Sequence, residues 1–541
     1  MTSPTEYSEQ TLRGALRARF AVVRPLDAGL LFLISCALLG VVLRVRNLSS
    51  IPLWLDEAQW ALILAKTSWL APSIRPLGFM GLSTLSVRVF GATEFALRIL
   101  PCLAGVATSL VAVPLARELF RGRAAQLLLV ASIALHPLAI DYAKEFKPYA
   151  FSLLLHLLCI FFALRYARGG KLGALLAACG VALIGPLFAQ DLVFAFPGVF
   201  LVLGLSALRD GRRSHLVLTV LGGSLCIATL FALYWFSWRA LEQGGEQTSN
   251  FWGGKYDVFY LRGNGTSRLG WVLEKCRDIA ALPGSRRERF HAVGPLDESA
   301  AAALAKIDAW VWVLLQVLGL ALLAYRGQRE RLLLLALPLV VWFSFNQFGF
   351  WPFGAFRTNL FALAYVASIA AFALEAPTRA PERNWSVVAA GLLVFAPLLT
   401  FERDWHAHKA WPVVSSFGTL ADTLFRLQGS DYTQNGDPLV LDAYSCSVWS
   451  YYLQLHPAYR LLASDVERRF RPRCARFGQS AAVLSMQRAR RSHGRVWLVL
   501  MNPHDIQSAH ELSEQQPGLN LHELDDHSAL VGSFSARPNR N

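Results

Sequence analysis

Two stretches of this sequence gather residues that could do chemistry. The first, Trp54-Leu55-Asp56-Glu57-Ala58, sets two adjacent carboxylates a few positions beyond an apolar run. The second, Asp141-Tyr142-Ala143-Lys144-Glu145-Phe146-Lys147-Pro148-Tyr149, is a dense polar cluster wedged between two apolar runs. A carboxylate at a bilayer boundary gains basicity as it loses hydration, unless a cation stands beside it, and could then take a proton from a hydroxyl. Lysine offers a point charge to a phosphate and arginine a bidentate fork, so Lys144, Lys147 and the later Arg357 are candidate anion ligands. Each group also has a plainer reading. Asp56 can cap the helix that follows, with Glu57 favouring the positive end of its dipole. The lysines can anchor a solvated loop at lipid headgroups, and Arg357 can snorkel to the interface.

The elements that must position these groups are membrane spans. The 541 residues are 54% apolar and 16% charged, with a mean hydropathy of +0.38, which is more apolar surface than a soluble fold of this length can hide. A hydrocarbon core of about 30 Å takes roughly 20 apolar residues per helix, and about eleven stretches qualify. They are Asp27 to Val45, Glu94 to Arg117, Ala124 to Leu138, Tyr149 to Tyr166, Leu172 to Phe188, Leu192 to Leu208, Leu216 to Phe236, Ala309 to Tyr325, Leu332 to Gln347, Thr358 to Leu374 and Trp385 to Phe401. The first reads as a retained helix, because no small-residue cleavage site accompanies it.

A net charge of +15 would suit nucleic acid if the basic residues formed one soluble patch, but they sit between spans, so no nucleic-acid partner is expected. Arg117, Arg121 and Arg123, then Arg165, Arg168 and Lys171, then Arg209, Arg212 and Arg213, alternate with outer loops of which the short ones hold only Lys144, Lys147 and Arg357. The positive-inside rule therefore predicts a cytoplasmic N-terminal segment over 1–26, a transmembrane domain over 27–401 and an external C-terminal domain over 402–541. Arg44 and Arg46, at the outer end of the first span, run against this pattern.

Outer loops are expected at 47–93 and 237–308. Asp56 to Leu70 reads as a helix, and Leu77 to Phe90 as a helix lying in the interface. The glycines from Gly244 to Gly265 predict an irregular, mobile loop. In the tail, strand-like Pro438 to Leu441, helix-like Ser445 to Leu455 and strand-like Val496 to Met501 predict a small α/β domain. Five cysteines fall within spans as small apolar residues, and Cys446 with Cys474 is a candidate external disulfide whose geometry the sequence leaves open.

Together the two loops resemble the membrane glycosyltransferases of the GT-C fold, in the bacterial group related to protein O-mannosyltransferases and to the lipid A aminoarabinose transferase. That group has an Asp-Glu-type pair after the first span and a Tyr-Ala-x-Glu-x-(Arg/Lys)-Pro-Tyr pattern after the third. Tyr142-Ala143-Lys144-Glu145-Phe146-Lys147-Pro148-Tyr149 matches the pattern position by position, and Phe90 to Pro101 is similar to the family's passage into the second span. The resemblance covers roughly the first 210 residues, and the loop Pro352 to Arg357 more loosely; the middle loop and the tail match no named pattern.

The resemblance implies a polytopic α-helical GT-C enzyme of the bacterial inner membrane, with a small C-terminal periplasmic α/β domain. It would move a monosaccharide, with inversion, from a polyprenyl-phosphate donor to a glycolipid, polysaccharide or protein acceptor on the periplasmic face. Asp56 is the candidate base, Glu57 its orienter or a sugar ligand, and Glu145 a second carboxylate. Asp141, Lys144, Lys147, Tyr149 and Arg357 are the candidate ligands for the donor's phosphate or sugar. The resemblance fixes no cofactor, and a divalent cation between Asp56 and Glu145 is left open. Arg75, Arg98 and the Gln190-Asp191 pair are secondary candidates, while His136 reads as a packed or interfacial histidine. The alternatives are a transporter or flippase for a lipid-linked saccharide and a non-catalytic envelope assembly protein. The first predicts charges deep inside spans and broken helices in paired positions.

Overall fold

The computed structural model describes residues 28–49, 52–66, 75–235, 257–260, 267–283, 298–355, 357–375, 391, 417–428, 436–475, 482, 485–487, 495–501, 503–515, 519–524 and 529–535. The membrane part contains α1 (Ala28–Val45), α2 (Leu55–Lys66), α3 (Leu77–Phe90), α4 (Glu94–Leu119), α5 (Arg123–Ala134), α6 (Pro137–Asp141), α7 (Tyr149–Gly169) and α8 (Leu172–Ile184). After them come α9 (Phe196–Arg209), α10 (Arg213–Leu233), α11 (Arg268–Ala280), α12 (Glu298–Tyr325), α13 (Arg329–Gln347) and α14 (Ala362–Phe372). Among the described residues, five helical stretches are long and apolar enough to cross a membrane: 94–119, 149–169, 190–209, 213–233 and 306–325. Five shorter apolar helices accompany them, at 29–45, 77–90, 123–134, 172–187 and 362–372. The chain is a multi-pass helical membrane protein; nearly all of the expected span at 385–401 and most of the glycine run from Gly244 lie outside the described residues.

Local chemistry explains where these helices start and break. Thr93 caps α4 by accepting the Ala96 N–H at 3.2 Å, and Glu94 stands in the first turn against the positive helix end. The expected single span from Ala124 to Leu138 is instead two helices, because Pro137 brings no N–H and holds His136 in an extended conformation. That break releases the chain into the Tyr142–Tyr149 turn. Helix α12 begins at Glu298, ahead of the expected Ala309, since its first turns carry Glu298, Lys306 and Asp308 and are too polar for a hydropathy window.

On α3, Leu82, Leu85, Val89 and Phe90 are exposed on one face while Phe79, Met80, Ser83 and Ser86 are buried on the other. An apolar face of that kind suits the lipid interface. Gly105 on α4 lets the turn approach closely: a Cβ there would collide with the Cβ of Ala143.

The C-terminal part comprises α15 (Phe417–Gln428), β1 (Asp437–Leu441), α16 (Ala443–Gln454), α17 (Ala463–Arg469), β2 (Phe470–Cys474), β3 (Arg495–Leu500), α18 (Pro503–Gln515), β4 (Leu519–Leu524) and β5 (Ala529–Ser535). The sheet order is β2-β1-β3-β5-β4, parallel from β2 through β3 and antiparallel from β3 through β4. Helices α15 and α16 share one apolar cluster with Leu439, Trp497 and Val499, while Ala509 and Leu512 of α18 share another with Val440, Leu498 and Leu500. A disulfide joins Cys446 to Cys474, tying α16 to the end of β2.

The first of these clusters continues into the membrane part. Leu53, Ala58, Ala61, Phe79 and Phe146 pack in it with Trp449, Tyr451 and Tyr452. The C-terminal sheet is therefore joined through a common core to the loops that hold the Asp-Glu pair and the Tyr-Ala motif.

Candidate active site

Adjacent residues on a helix point about 100° apart, and Asp56 and Glu57 exploit this. Glu57 turns inward and is fully buried. Its Oε1 accepts Arg98 Nε at 2.9 Å and the Phe146 N–H at 2.6 Å, and its Oε2 accepts Arg98 NH2 at 2.6 Å. Arg98 also donates to Leu48 O at 3.3 Å and Pro52 O at 3.2 Å. This bidentate pair is a strut that fixes α2 against α4 and against the Tyr-Ala motif. Arg98, a secondary candidate in the sequence, thus braces the site rather than lining it.

Asp56 turns the other way and is partly exposed. Its Oδ2 lies 2.8 Å from Arg357 NH2 and 3.8 Å from Lys147 Nζ. Arg357 comes from the turn between α13 and α14, held by Asn359, whose amide donates to Pro352 O at 3.1 Å and Gly354 O at 2.9 Å and accepts Trp351 Nε1 at 3.0 Å. Indoles support the cations: Arg357 lies 5.2 Å from the Trp54 ring, and Lys147 and Arg75 lie 4.1 and 5.2 Å from the Trp60 ring. Trp60 follows Asp56 by one helical turn, so both share a face of α2.

Glu145 interacts with the same two cations. Burial, with Glu57 nearby, pushes its carboxyl up to about 8 against the opposing pull of Arg357. Burial pushes the Lys147 ammonium down to about 8, although Asp56 opposes this. For Arg357, burial works against the charge, yet Tyr149 and Asp56 hold its pKa above the ordinary value. Asp56, Glu145, Lys147, Tyr149 and Arg357 therefore form one electrostatic cluster.

Lys144 faces elsewhere, while Asp141 acts electrostatically on both Lys144 and Glu145. Burial pushes Lys144 down to about 8, and its charged neighbours are Asp141, Arg46 and Arg44. Arg44, the residue that offended the positive-inside pattern, is fully buried and donates to the carbonyls of Gly40, Ile133 and Ala134, closing the broken end of α5. Asp191 is buried and accepts from the Ser152 hydroxyl, and His136 Nε2 donates to Leu282 O at 2.7 Å. Sequence reasoning gives Trp54 and Trp60 only the headgroup depth that indoles favour, and Arg44 no role; the one-turn spacing of Trp60 from Asp56 and the misplaced charge of Arg44 were the available signals.

A divalent cation between Asp56 and Glu145 does not fit this donor set. The Asp56 charge is already met by Lys147 and Arg357, and among the described residues no three His, Cys, Asp or Glu side chains converge as a metal cage.

Residues 75–243 match the family model for dolichyl-phosphate-mannose-protein mannosyltransferase. The crystal structure of ArnT from Cupriavidus metallidurans in the apo state aligns over 94% of this chain and 98% of its own, with a TM-score of 0.50 at 14% identity. The fold is GT-C. In this GT-C chain the family match includes Arg75, Arg98 and the whole Tyr-Ala motif, and begins after Asp56. ArnT from the same organism bound to undecaprenyl phosphate aligns over 94% of this chain and 98% of its own, with a TM-score of 0.47 at 15% identity. No curated protein matches the sequence.

Proposed function

We propose that this GT-C protein is an inverting glycosyltransferase that moves a monosaccharide from a polyprenyl phosphate to an acceptor on the periplasmic face of a bacterial inner membrane. The observation that carries the reading is Asp56 standing between Arg357 and Lys147, 2.8 and 3.8 Å from its Oδ2, in one cluster with Glu145, whose carboxyl burial pushes up. The family description, with its dolichyl-phosphate-mannose donor, supports the donor class. Alternating basic loops and the Cys446–Cys474 disulfide support an external active face and tail.

The reaction needs little beyond these groups. The acceptor hydroxyl gives its proton to Asp56 while its oxygen attacks the anomeric carbon opposite the phosphate. The bond from that carbon to the phosphate oxygen breaks, and its electron pair leaves on polyprenyl phosphate. Arg357 and Lys147 offset the growing negative charge. In the unliganded site the same cations hold Asp56, so a phosphate that draws them away also frees the carboxylate oxygen to meet the acceptor hydroxyl. Donor binding and base activation are one exchange of ion pairs. Glu145, as a neutral acid, can donate a hydrogen bond to a sugar or phosphate oxygen, and Tyr149 can bind the donor.

The reading is tested by incubating the purified protein in lipid with radiolabelled polyprenyl-phosphate sugars and membrane acceptors. Label is expected to pass from one donor to an acceptor with inverted anomeric configuration. Retained configuration would exclude the direct displacement, and inertness toward every donor would defeat the class.

The pH dependence has a definite sign. As pH rises through about 8, Lys147 loses its positive charge and Glu145 gains a negative one, and both changes oppose an anionic donor. Affinity for undecaprenyl phosphate, measured by equilibrium binding, should be greatest below about 8 and fall above it. Lys147→Arg, whose guanidinium keeps its charge, should flatten that fall. A wild-type affinity that rises through the same interval would contradict the assignment.

A further inference from the structure

We infer that the C-terminal domain helps to build the active site and that Tyr452, on α16, is a positioning residue for Asp56. The inference rests on Asp56 being the base. Helix α2 starts without a Ser, Thr, Asp or Asn cap, since the residue before it is Trp54. Its starting direction is set instead by the short run 52–54. The Leu53 N–H donates to the Tyr452 hydroxyl at 2.9 Å, Pro52 O accepts from Arg98 at 3.2 Å, and the Trp54 N–H meets Glu57 Oε2 at 3.4 Å.

The phenol is itself fixed. It accepts from Leu53 and donates to Glu94 Oε1 at 2.8 Å, and its ring is buried. Glu94 Oε2 lies 3.0 Å from His456 Nε2, and the Tyr451 hydroxyl donates to Ala92 O at 2.8 Å. Rotating Tyr452 away would strand both the Leu53 N–H and a Glu94 oxygen in a buried place.

The first turns of α4 are the common anchor. Glu94 receives the C-terminal domain there, and one turn later Arg98 receives Glu57. Asp56 leaves the chain three residues after Leu53, so the peptide held by Tyr452 sets the angle at which Asp56 meets Arg357 and Lys147. Small displacements of a base are costly to turnover without weakening substrate binding.

The test uses the full chain in lipid nanodiscs, with polyprenyl-phosphate sugars as donors. In Tyr452→Phe, amide exchange over Leu53–Glu57 should quicken about tenfold while β3 keeps its protection. Turnover should fall about tenfold with the donor KM within about twofold, and the loss should vanish in an Asp56→Asn background. Glu94→Gln, which keeps an oxygen for the Tyr452 hydroxyl, should retain most of the turnover. Unchanged exchange at Leu53–Glu57, exposure of β3 as well, or full turnover in Tyr452→Phe would each overturn the role while leaving the Asp56 assignment intact. Full turnover in Asp56→Asn would instead overturn the base assignment and this role with it.

Discussion

Replacing Asp56 with Asn should lower sugar transfer by about 10³-fold, the middle of the range for a positioned general base. The amide keeps the size of the carboxylate and one oxygen for Arg357, so the site should remain assembled. It cannot accept the acceptor's proton. A second consequence separates a base from a group that merely holds the donor. Asp56 competes with the donor phosphate for Arg357 and Lys147, which lie 2.8 and 3.8 Å from its Oδ2. Removing that competitor should leave undecaprenyl phosphate binding as tight as in the wild type or tighter. Transfer measured beside equilibrium binding distinguishes the outcomes: lost transfer with preserved binding supports the base, and parallel loss of both marks Asp56 as a donor ligand. Persisting transfer would remove Asp56 from the chemistry.

What the sequence made legible, and what it hid, follows from the range of the forces involved. Apolar runs and the β1 and β3 strands are local patterns, so periodicity and turn chemistry reach them, whereas a hydropathy window runs straight through the break at Pro137. Strand β2 carries two exposed arginines and a proline, so no strand is expected there although these residues suit an edge strand; β4 and β5 are formed by pairing that no local window contains. In the candidate site the same limit applies. Lys144 and Lys147 are near neighbours in the chain and look equivalent. The turn between α6 and α7 sends Lys147 to Asp56 and Lys144 toward Asp141, Cys102 and Arg44. Arg357 looks like an interfacial arginine until the Asn359 turn delivers it to a carboxylate far earlier in the chain. Glu57 is the sharpest case, since beside Asp56 it reads as an orienter or a sugar ligand, and no local pattern announces the bidentate Arg98 that it meets.

That brace carries the second large effect. Arg98 and Glu57 are almost wholly buried, so deleting one partner leaves a buried charge without its bidentate counterpart, a loss of about 3–5 kcal/mol. Arg98→Ala should therefore lower the thermal stability of the lipid-embedded protein sharply. Arg98→Lys should rescue it only in part, because an ammonium cannot reproduce the two parallel bonds to Glu57 and the contacts to Leu48 and Pro52. Glu57→Gln keeps an oxygen for the Phe146 N–H and isolates the loss of charge. Combining it with Arg98→Met should be milder than the sum of the single changes, since partners that share one interaction are not additive. Turnover should fall with stability in each single variant, because the strut sets both α2, which carries Asp56, and the motif, which carries Lys147. A Glu57 that touched the sugar would behave differently: Glu57→Gln would lose turnover while its melting temperature stayed at the wild-type value.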